Sequence, residues 1–388
     1  MAIQAAIHAR RGFRTWAKLA GGASLAALMV APAHAQDAAA PAEDAIVVTG
    51  IRASLEQAAD IKREAEQVMD VITAEDVGKL PDANVAEALQ RVTGVQITRV
   101  FGEGQSVSVR GLQQVRVEVD GRTLLGWSAR LSPPENDQLG RSSGLDSVPS
   151  SLFGRLEVRK SPLASNAEGG LGGTVNLVTP KPLSFKEPTI SVRAQGVYSE
   201  NSDKFEPAIT GFATTKFADG RIGVMLAGEY QKRTSTTQTF ERNNFLNRTY
   251  TGTGGGVLPT PVLLQYEQFT VDRSRLGLNG AIQFEVTPEF TITADALYSK
   301  LKTGRRQDFF AFRLPTGSNP VTNRVVEDGM VVAGNANGTV TTAGQIRNEP
   351  TESFLYGLNG KYEGDNGLTI EADGYYSKGT IDQTIQII

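Results

Sequence analysis

The chain has 388 residues, with 39 Lys and Arg, 42 Asp and Glu, two His and no Cys. Both histidines, His8 and His34, lie in residues 1–35, which hold four of the basic residues and none of the acidic ones, so the formal net charge changes from −3 to −7 without that segment. Beyond residue 35 this composition excludes a disulfide framework, a His or Cys metal site, a Cys nucleophile and a Ser-His-Asp triad, and the acidic charge argues against nucleic-acid binding. We therefore expect no catalytic residue, no metal and no cofactor.

Residues 1–35 have the pattern of a secretory signal peptide. Four basic residues precede the apolar run LAGGASLAALMVAP, and Ala33-His34-Ala35 supplies the small-x-small pattern that signal peptidase cleaves after. The run of about 14 residues is too short for a helix that spans a membrane. We expect an exported protein whose mature chain begins at Gln36.

Residues 36–60 are rich in Ala, Pro, Gln, Asp and Glu, a composition typical of a flexible tether. Within them lies DAIVVTG, residues 44–50, a short β-forming run with no neighbouring strand. Because an isolated strand is marginal in water, this segment either packs early into the following domain or stays extended for a partner protein.

Residues 61–182 have a mixed α and β pattern. TAEDVGKL offers Thr73 as a helix N-cap, and PDANVAEALQRVTGV offers Asp82 as a second N-cap with Gly94 as the stop. The short strands VQITRV, SVSVRG and VRVEVDGRTL follow, and Asp120-Gly121 is a strong signal for a two-residue hairpin. We expect a compact α+β domain of about 120 residues with a core of its own.

Beyond residue 182 the sequence alternates between apolar and polar side chains with a period of two. In FTITADALYSK one face carries Phe290, Ala294 and Tyr298, and the other carries Asp295 and Ser299. Small residues between terminal aromatics are typical of lipid contact with interfacial rings. From Phe290 to Tyr298, eight residues at about 3.4 Å each and a tilt near 40° cover about 21 Å, close to the apolar band of outer-membrane barrels.

The alternation predicts about seven antiparallel strands, near residues 189–198, 206–217, 221–232, 272–286, 289–301, 353–363 and 367–379. Short turns follow the second, fourth and sixth strands, whereas about forty and fifty residues follow the third and fifth, as in outer-membrane barrels with long external loops. Single-chain bacterial barrels have an even strand number, and about eight strands leave no room for a plug of this size. We expect residues 183–388 to be the N-terminal part of a transmembrane β-barrel, about 7 of ~22 strands.

The ordered set VTGVQI, VSVRGL, VEVDGR, LDSVPSSLFGRLEVRKS and EGGLGGTVNLVTPKP, after a D-x-V-V-T-G run and before lipid-type strands, resembles a TonB-dependent outer-membrane receptor. Residues 61–182 are similar to its plug domain. The segment from Ser150 to Pro182 most resembles the branch whose characterised members take up plant or chitin oligosaccharides. The Tyr usual before the Lys is Arg159 here, and the segment after the hairpin differs, so the substrate does not carry over.

The resemblance implies that residues 44–50 are the TonB box, which TonB grips while ExbB and ExbD supply energy. An extended segment of this kind binds by adding a strand to a partner's sheet edge. The residues concerned are Asp44, Ala45, Ile46, Val47, Val48, Thr49 and Gly50. The alternative is an early strand of the plug.

Two further sets of residues are predicted to have functional contacts. Arg110, Arg155, Glu157 and Arg159 are expected to contact the barrel wall, because charged pairs in a wet lumen can form and release at modest cost. The alternative is ordinary surface charge. Substrate contacts are expected from aromatic side chains, each of which has a core or girdle role as its alternative. These are Phe101, Trp127, Phe240, Tyr250 and Phe310.

The sequence as a whole predicts TonB-dependent import of a scarce nutrient, an oligosaccharide by resemblance, across the outer membrane, with the plug gating the barrel. A ferric-siderophore receptor shares this mechanism and is the first alternative. A passive porin would lack both the box and the plug, and an outer-membrane enzyme would need a nucleophile and base that the missing histidines make hard to build.

Overall fold

The computed structural model describes residues 51–73, 82, 84–127, 144–315 and 317–387. The predicted signal peptide, residues 1–35, and the predicted TonB box, residues 44–50, lie outside them. Among the described residues, no helix combines the length and apolar character needed to cross a membrane.

The first part of the chain is an α+β domain. Its elements are α1 (Ile51–Glu64), β1 (Met69–Thr73), α2 (Val85–Leu89), β2 (Val95–Val100), β3 (Glu103–Val109), β4 (Val115–Val119), β5 (Arg122–Thr123), β6 (Arg155–Arg159) and β7 (Gly173–Val178). Five strands form one sheet in the order β1-β6-β7-β4-β5, and β2 pairs with β3 in a separate hairpin. The β4–β7 pair is parallel and the other pairs are antiparallel.

Helix α1 occupies part of the segment expected to be a flexible tether. Its sequence IRASLEQAADIKRE is rich in strong helix formers, and Lys62 and Arg63 in the last turn complement the helix dipole. The helix is tied to β1, because the Ser54 hydroxyl lies 2.7 Å from the Thr73 hydroxyl and donates to the Thr73 carbonyl oxygen at 2.9 Å. Thr73 is the last residue of β1, and the helix it was predicted to cap lies outside the described residues.

Helix α2 begins two residues later than the sequence pattern suggests. Asn84 is the N-cap, and its side-chain oxygen accepts from the Glu87 backbone N–H at 3.0 Å. Asp82, the predicted cap, instead forms a bidentate ion pair with Arg91. Asn84 fits the position better because its amide also donates to the Gly104 carbonyl oxygen at 3.0 Å, which joins α2 to β3.

The Asp120-Gly121 turn is confirmed as the connection between β4 and β5. Both residues have positive φ, 50° and 79°, as the two-residue turn that matches strand twist requires. The Asp120 carboxylate accepts from the Thr179 backbone N–H at 3.0 Å and from Lys181 at 2.9 Å. These bonds fix the hairpin to the segment that leaves the domain.

The second part of the chain is antiparallel sheet, as predicted. Its strands are β8 (Thr189–Ser199), β9 (Lys204–Phe217), β10 (Ile222–Tyr250), β11 (Gly256–Thr287), β12 (Phe290–Arg313), β13 (Thr322–Glu327), β14 (Met330–Asn335), β15 (Thr339–Glu363), β16 (Thr369–Ile381) and β17 (Thr384–Ile387). Seven of them run in the order β16-β15-β12-β11-β10-β9-β8, with β17 also on β15, while β13 and β14 form a separate hairpin.

Several strands are much longer than the apolar alternation predicts. Strands β10 and β11 stay paired from Ile222↔Phe284 to Tyr250↔Gly256, so the long loop expected after the third strand is instead a continued hairpin. The second long connection contains the β13–β14 hairpin. Short turns close the other end of the sheet, at residues 218–221, 288–289 and 364–368.

The two faces of the strands separate as the alternation predicts. On β12, Asp295, Leu297 and Ser299 are buried, whereas Ala294 and Ala296 are exposed on the opposite face. The apolar core of the first domain extends onto the buried face. This core joins domain residues such as Phe153 and Leu156 to strand residues such as Met225, Leu297 and Leu355. The domain therefore packs against one face of the sheet, which we call the inner face, and the opposite face is called the outer face.

Candidate functional site: the contact between the α+β domain and the strands

Arg122 is the centre of the first polar cluster between the domain and the inner face. It follows the Asp120-Gly121 turn on the edge strand β5 and is only 3% exposed. Its Nη1 donates to both carboxylate oxygens of Asp295 at 2.7 and 2.8 Å, while Nε and Nη2 donate to Asp373 at 2.9 and 2.6 Å. One cation of the α+β domain thus joins acidic residues on two different strands, β12 and β16.

The surroundings of Arg122 are shaped to hold a guanidinium. A Cβ on Gly357 of β15 would overlap it, so glycine is needed there for the side chain to lie against the strand. Burial alone would lower the pKa of Arg122, but the hydrogen bonds to Asp373 and Asp295 outweigh burial and raise it. The guanidinium of Arg122 therefore stays protonated, and it forms charge-assisted hydrogen bonds with both carboxylates.

Glu103 is the centre of a second cluster with the opposite arrangement of charge. It lies on β3, is 2% exposed, and accepts from Arg273 at 2.7 Å and from Arg275 at 3.1 Å, with Arg233 at 3.4 Å. Burial opposes ionisation of this carboxyl, but the charges of Arg275, Arg273 and Arg233 outweigh burial and lower its pKa to about 2. Here a single anion of the α+β domain meets three cations of strands β10 and β11.

Neutral hydrogen bonds connect the same two surfaces between the charged clusters. The Ser299 hydroxyl of β12 donates to the Ser147 carbonyl oxygen at 2.6 Å, and the Leu125 backbone N–H donates to the Ser377 hydroxyl of β16 at 3.0 Å. At Gly277 of β11, an added Cβ would lie 2.6 Å from Pro149. The inner face is therefore complementary to the domain in shape as well as in charge.

The four residues predicted to contact the barrel lie elsewhere. Arg155 pairs with Glu157 at 2.8 Å, and Arg159 pairs with Glu157 at 3.1 Å and with Glu118 at 3.2 Å. Arg110 donates to the Lys160 carbonyl oxygen at 3.0 Å. These contacts are internal to the domain because β6 lies inside the five-stranded sheet, where its side chains meet those of neighbouring strands. Among the described residues, Arg122 and Glu103 form ion pairs between the domain and the strands, and a barrel contact of the four predicted residues stays a prediction.

The sequence carried a partial signal for the missed residues. Asp295 and Asp373 both fall on the polar side of the alternation, and the structure confirms that side as the inner face. Arg122 directly follows a predicted turn. Arg122 is separated from Asp295 by 173 residues and from Asp373 by 251 residues in the chain, so local sequence patterns could not reveal these pairs.

The predicted substrate-binding aromatics separate into three groups. Phe101, at the tip of the β2–β3 hairpin, packs on Phe269 of β11 with ring centroids 5.6 Å apart. Trp127 is half-buried and directly precedes residues 128–143, which lie outside the described residues. Tyr250 is buried in a small cluster beside Leu314.

Phe240 and Phe310 form the third group of these aromatics and lie on the outer face. They share the outward register of Tyr298, and Phe269, which faces Phe101, has the opposite register. Both side chains point away from the domain, and their predicted role in substrate binding stays a prediction.

The start of the domain is linked to its sheet by charged contacts. Asp70 of β1 accepts from Lys62 of α1 at 2.5 Å and from Lys160, which follows β6. Burial raises the pKa of Asp70, but the hydrogen bonds to Lys160 and Lys62 outweigh it, and the net shift is downward. Helix α1 is therefore bonded to the edge strand of the five-stranded sheet.

The described residues contain no group of three or more His, Cys, Asp or Glu side chains arranged to hold a metal ion.

Residues 61–174 match the family model "TonB-dependent Receptor Plug Domain". The α+β domain therefore contains a match to the plug domain of TonB-dependent receptors. The match begins inside α1 and ends at the start of β7.

Several solved structures match the chain over most of its length at low identity and low TM-score. The siderophore receptor PirA from Acinetobacter baumannii is 13% identical with a TM-score of 0.35, and the match covers 84% of this chain and 55% of that one. The alcaligin receptor FauA from Bordetella pertussis is 14% identical, with a TM-score of 0.35 and coverage of 84% and 57%. The ferric citrate transporter FecA in its unliganded form is 12% identical, with a TM-score of 0.37 and coverage of 84% and 61%. The chain therefore spans less than two thirds of the length of these receptors.

Proposed function

We propose that this chain is part of an outer-membrane transporter that imports a scarce nutrient with energy delivered through TonB. The observation that carries the proposal is a TonB-dependent plug domain seated on the polar inner face of long antiparallel strands. The predicted signal peptide would direct export of the protein, whose strands would then insert into the outer membrane. There the exposed outer face, with aromatics such as Tyr356 and Tyr376, contacts lipid.

The plug gates the pathway through contacts that can be broken and remade. The clusters at Arg122 and Glu103 are polar and flanked by hydroxyl groups, so water that enters the interface can replace their hydrogen bonds. A wholly apolar contact would expose its full area to water on release, at a cost proportional to that area. Charged clusters therefore suit a plug that must move and return.

The energy for import enters at residues 44–50, the proposed TonB box, which directly precedes the first residue of α1, Ile51. Helix α1 bonds to β1 through Ser54, and β1 is the edge strand of the plug sheet, paired with β6 over five residues from Met69↔Arg159 to Thr73↔Arg155. Tension on the box would reach this edge first. The partner is TonB, with ExbB and ExbD as the source of energy.

For the substrate we propose an oligosaccharide, on the resemblance of the segment from Ser150 to Pro182. A ferric siderophore is the second candidate, because the plug, the strands and the proposed TonB box would be the same in such a receptor. The two substrates are distinguished by uptake of a labelled chito-oligosaccharide and of a radiolabelled ferric siderophore in a strain that expresses the full receptor.

The transport mechanism is tested with variants of the box in the full receptor. Val47→Pro removes a backbone donor needed for strand addition, whereas Val47→Ile keeps it. We expect the Pro variant to reduce uptake to the level of a receptor deletion, and the Ile variant to retain it, with equal receptor in outer-membrane fractions. Normal uptake by the Pro variant would refute the role of this segment.

A further inference from the structure

The outer face carries a row of exposed aromatic side chains far from the lipid-facing rings. Phe240 on β10 pairs in register with Tyr266 on β11, which pairs with Phe310 on β12, and Thr342 on β15 continues the row. Their exposed fractions are 73%, 42% and 47% for the three aromatics. Neighbouring strands lie about 4.8 Å apart, so the three rings form a platform about 10 Å wide.

A second row, directly below the aromatic one, is polar. Gln238, Gln268 and Asp308 are in register on the same three strands, and the Gln238 amide donates to the Gln268 side-chain oxygen at 3.0 Å. Tyr266, Gln268, Asp308 and Phe310 line a shallow depression on this face. The surface therefore places flat apolar rings beside amide and carboxylate groups.

This combination has the chemistry of a sugar-binding surface. The C–H face of a pyranose ring packs on an aromatic ring, while its hydroxyl groups donate to carboxylates and exchange hydrogen bonds with amides. A wholly apolar partner would remove water from the Gln268 and Asp308 side chains and leave Asp308 only its ion pair with Arg306 at 2.8 Å, which is unfavourable. The row and its polar border thus favour a glycan over an apolar ligand.

The height of the platform above the membrane, and the direction it faces, indicate which glycan can reach it. Phe310 lies twelve residues beyond Tyr298 on β12, which at about 3.4 Å per residue and a tilt near 40° is about 30 Å above the upper aromatic ring. The platform faces away from the plug, so a substrate in the lumen would not pass it. It faces the space above the outer leaflet, where the sugar chains of membrane glycolipids stand.

We infer that Tyr266, Phe310, Gln268 and Asp308 form a binding site for the sugar chain of an outer-leaflet glycolipid, separate from the import pathway. This inference rests on the outer-membrane placement proposed above. Glycolipid sugar chains would bind at this site, on the outer face of strands β11 and β12.

The test uses the full receptor purified in detergent and the oligosaccharide released by mild acid from the outer-leaflet glycolipid of the strain that carries the gene. Saturation-transfer NMR and calorimetric titration measure contact and affinity. The variants are Tyr266→Ser combined with Phe310→Ser, and Asp308→Asn alone. Val257→Ser is the matched control, because it removes an exposed apolar side chain from β11 at a distance from the platform.

We expect the wild type and the control to bind within twofold of each other. The double variant should bind at least tenfold more weakly, and Asp308→Asn severalfold more weakly. Correct folding of each variant is checked by its heat-modifiable migration in gels. No binding by the wild type, equal binding by the double variant, or a receptor dimer that depends on these residues would overturn the inference. Binding is measured on purified protein, so failure of the transport proposal would leave this result unaffected.

Discussion

Replacing Arg122 by Met is the most informative perturbation of the plug. The variant keeps much of the side-chain volume but leaves the carboxylates of Asp295 and Asp373 without their shared cation. Removing one partner of a buried ion cluster costs about 3–5 kcal/mol, because the remaining charge stays buried. Asp373 is partly exposed and regains water, so we take the lower end, about 3 kcal/mol, as the expected loss.

The effect is measured by hydrogen exchange on the full receptor, on peptides that cover the β4–β5 hairpin. A loss of about 3 kcal/mol corresponds to about a hundredfold faster exchange through opening of the hairpin. Arg91→Met is the matched control, because its pair with Asp82 is at the surface and contributes about 0–1 kcal/mol. Arg122→Met combined with Asp295→Asn should recover part of the protection. Exchange in Arg122→Met within threefold of the wild type would refute the view that this cluster holds the hairpin on the strands.

Three further predictions concern other contacts of the plug. The pKa of Glu103 falls from 4.5 in the unfolded chain to about 2 in the folded one, which corresponds to about 3 kcal/mol of folding free energy. This stabilisation is fully present above pH 4.5 and is lost as the pH falls towards 2. The melting temperature of Glu103→Gln should therefore depend less on pH in that window than that of the wild type, and an unchanged dependence would contradict the assignment. Gly277→Val should weaken seating of the plug by about 1–3 kcal/mol, since its Cβ would overlap Pro149, and faster proteolysis of the 144–153 segment is the readout. Ser54→Ala should reduce TonB-dependent uptake with little change in melting temperature, because it removes a bond between α1 and β1 and leaves the plug core intact.

The faces of the strands could be predicted from sequence because the period of a strand is local. Alternation alone put Asp295 and Ser299 on one side and Tyr298 on the other, and the structure confirms both. The turn at Asp120-Gly121 was equally predictable, since only a few residue types accept its backbone angles.

The partners of charged side chains could not be predicted, because they depend on which strands lie side by side. Arg155 and Arg159 carry the charge expected of a plug contact, but β6 is an inner strand of the plug sheet and its cations meet Glu157 and Glu118. Arg122 looks like an ordinary hairpin residue until β12 and β16 bring two carboxylates to it.

The lengths of the strands also escaped prediction, for a different physical reason. The upper part of β10 contains the polar run TSTTQTF, and the upper part of β11 contains two prolines, so both compositions indicate a loop. They remain strands because backbone hydrogen bonds between them continue to Tyr250↔Gly256. Helix α1 was missed in a similar way, since it directly follows a segment with the composition of a tether.

The central claim is that TonB grips residues 44–50 and pulls on the plug. Residues 1–388 contain no cysteine, so single cysteines can be introduced at positions 44 to 50, and at Ala39 as a control, once any cysteine elsewhere in the full receptor is replaced. Disulfide cross-linking of the full receptor to a TonB C-terminal domain that carries one cysteine on its edge strand measures the contact directly. We predict strong cross-links at alternate positions within 44–50, as strand addition requires, and none at Ala39. No cross-link at any of these positions, or equal cross-linking at Ala39, would contradict the account.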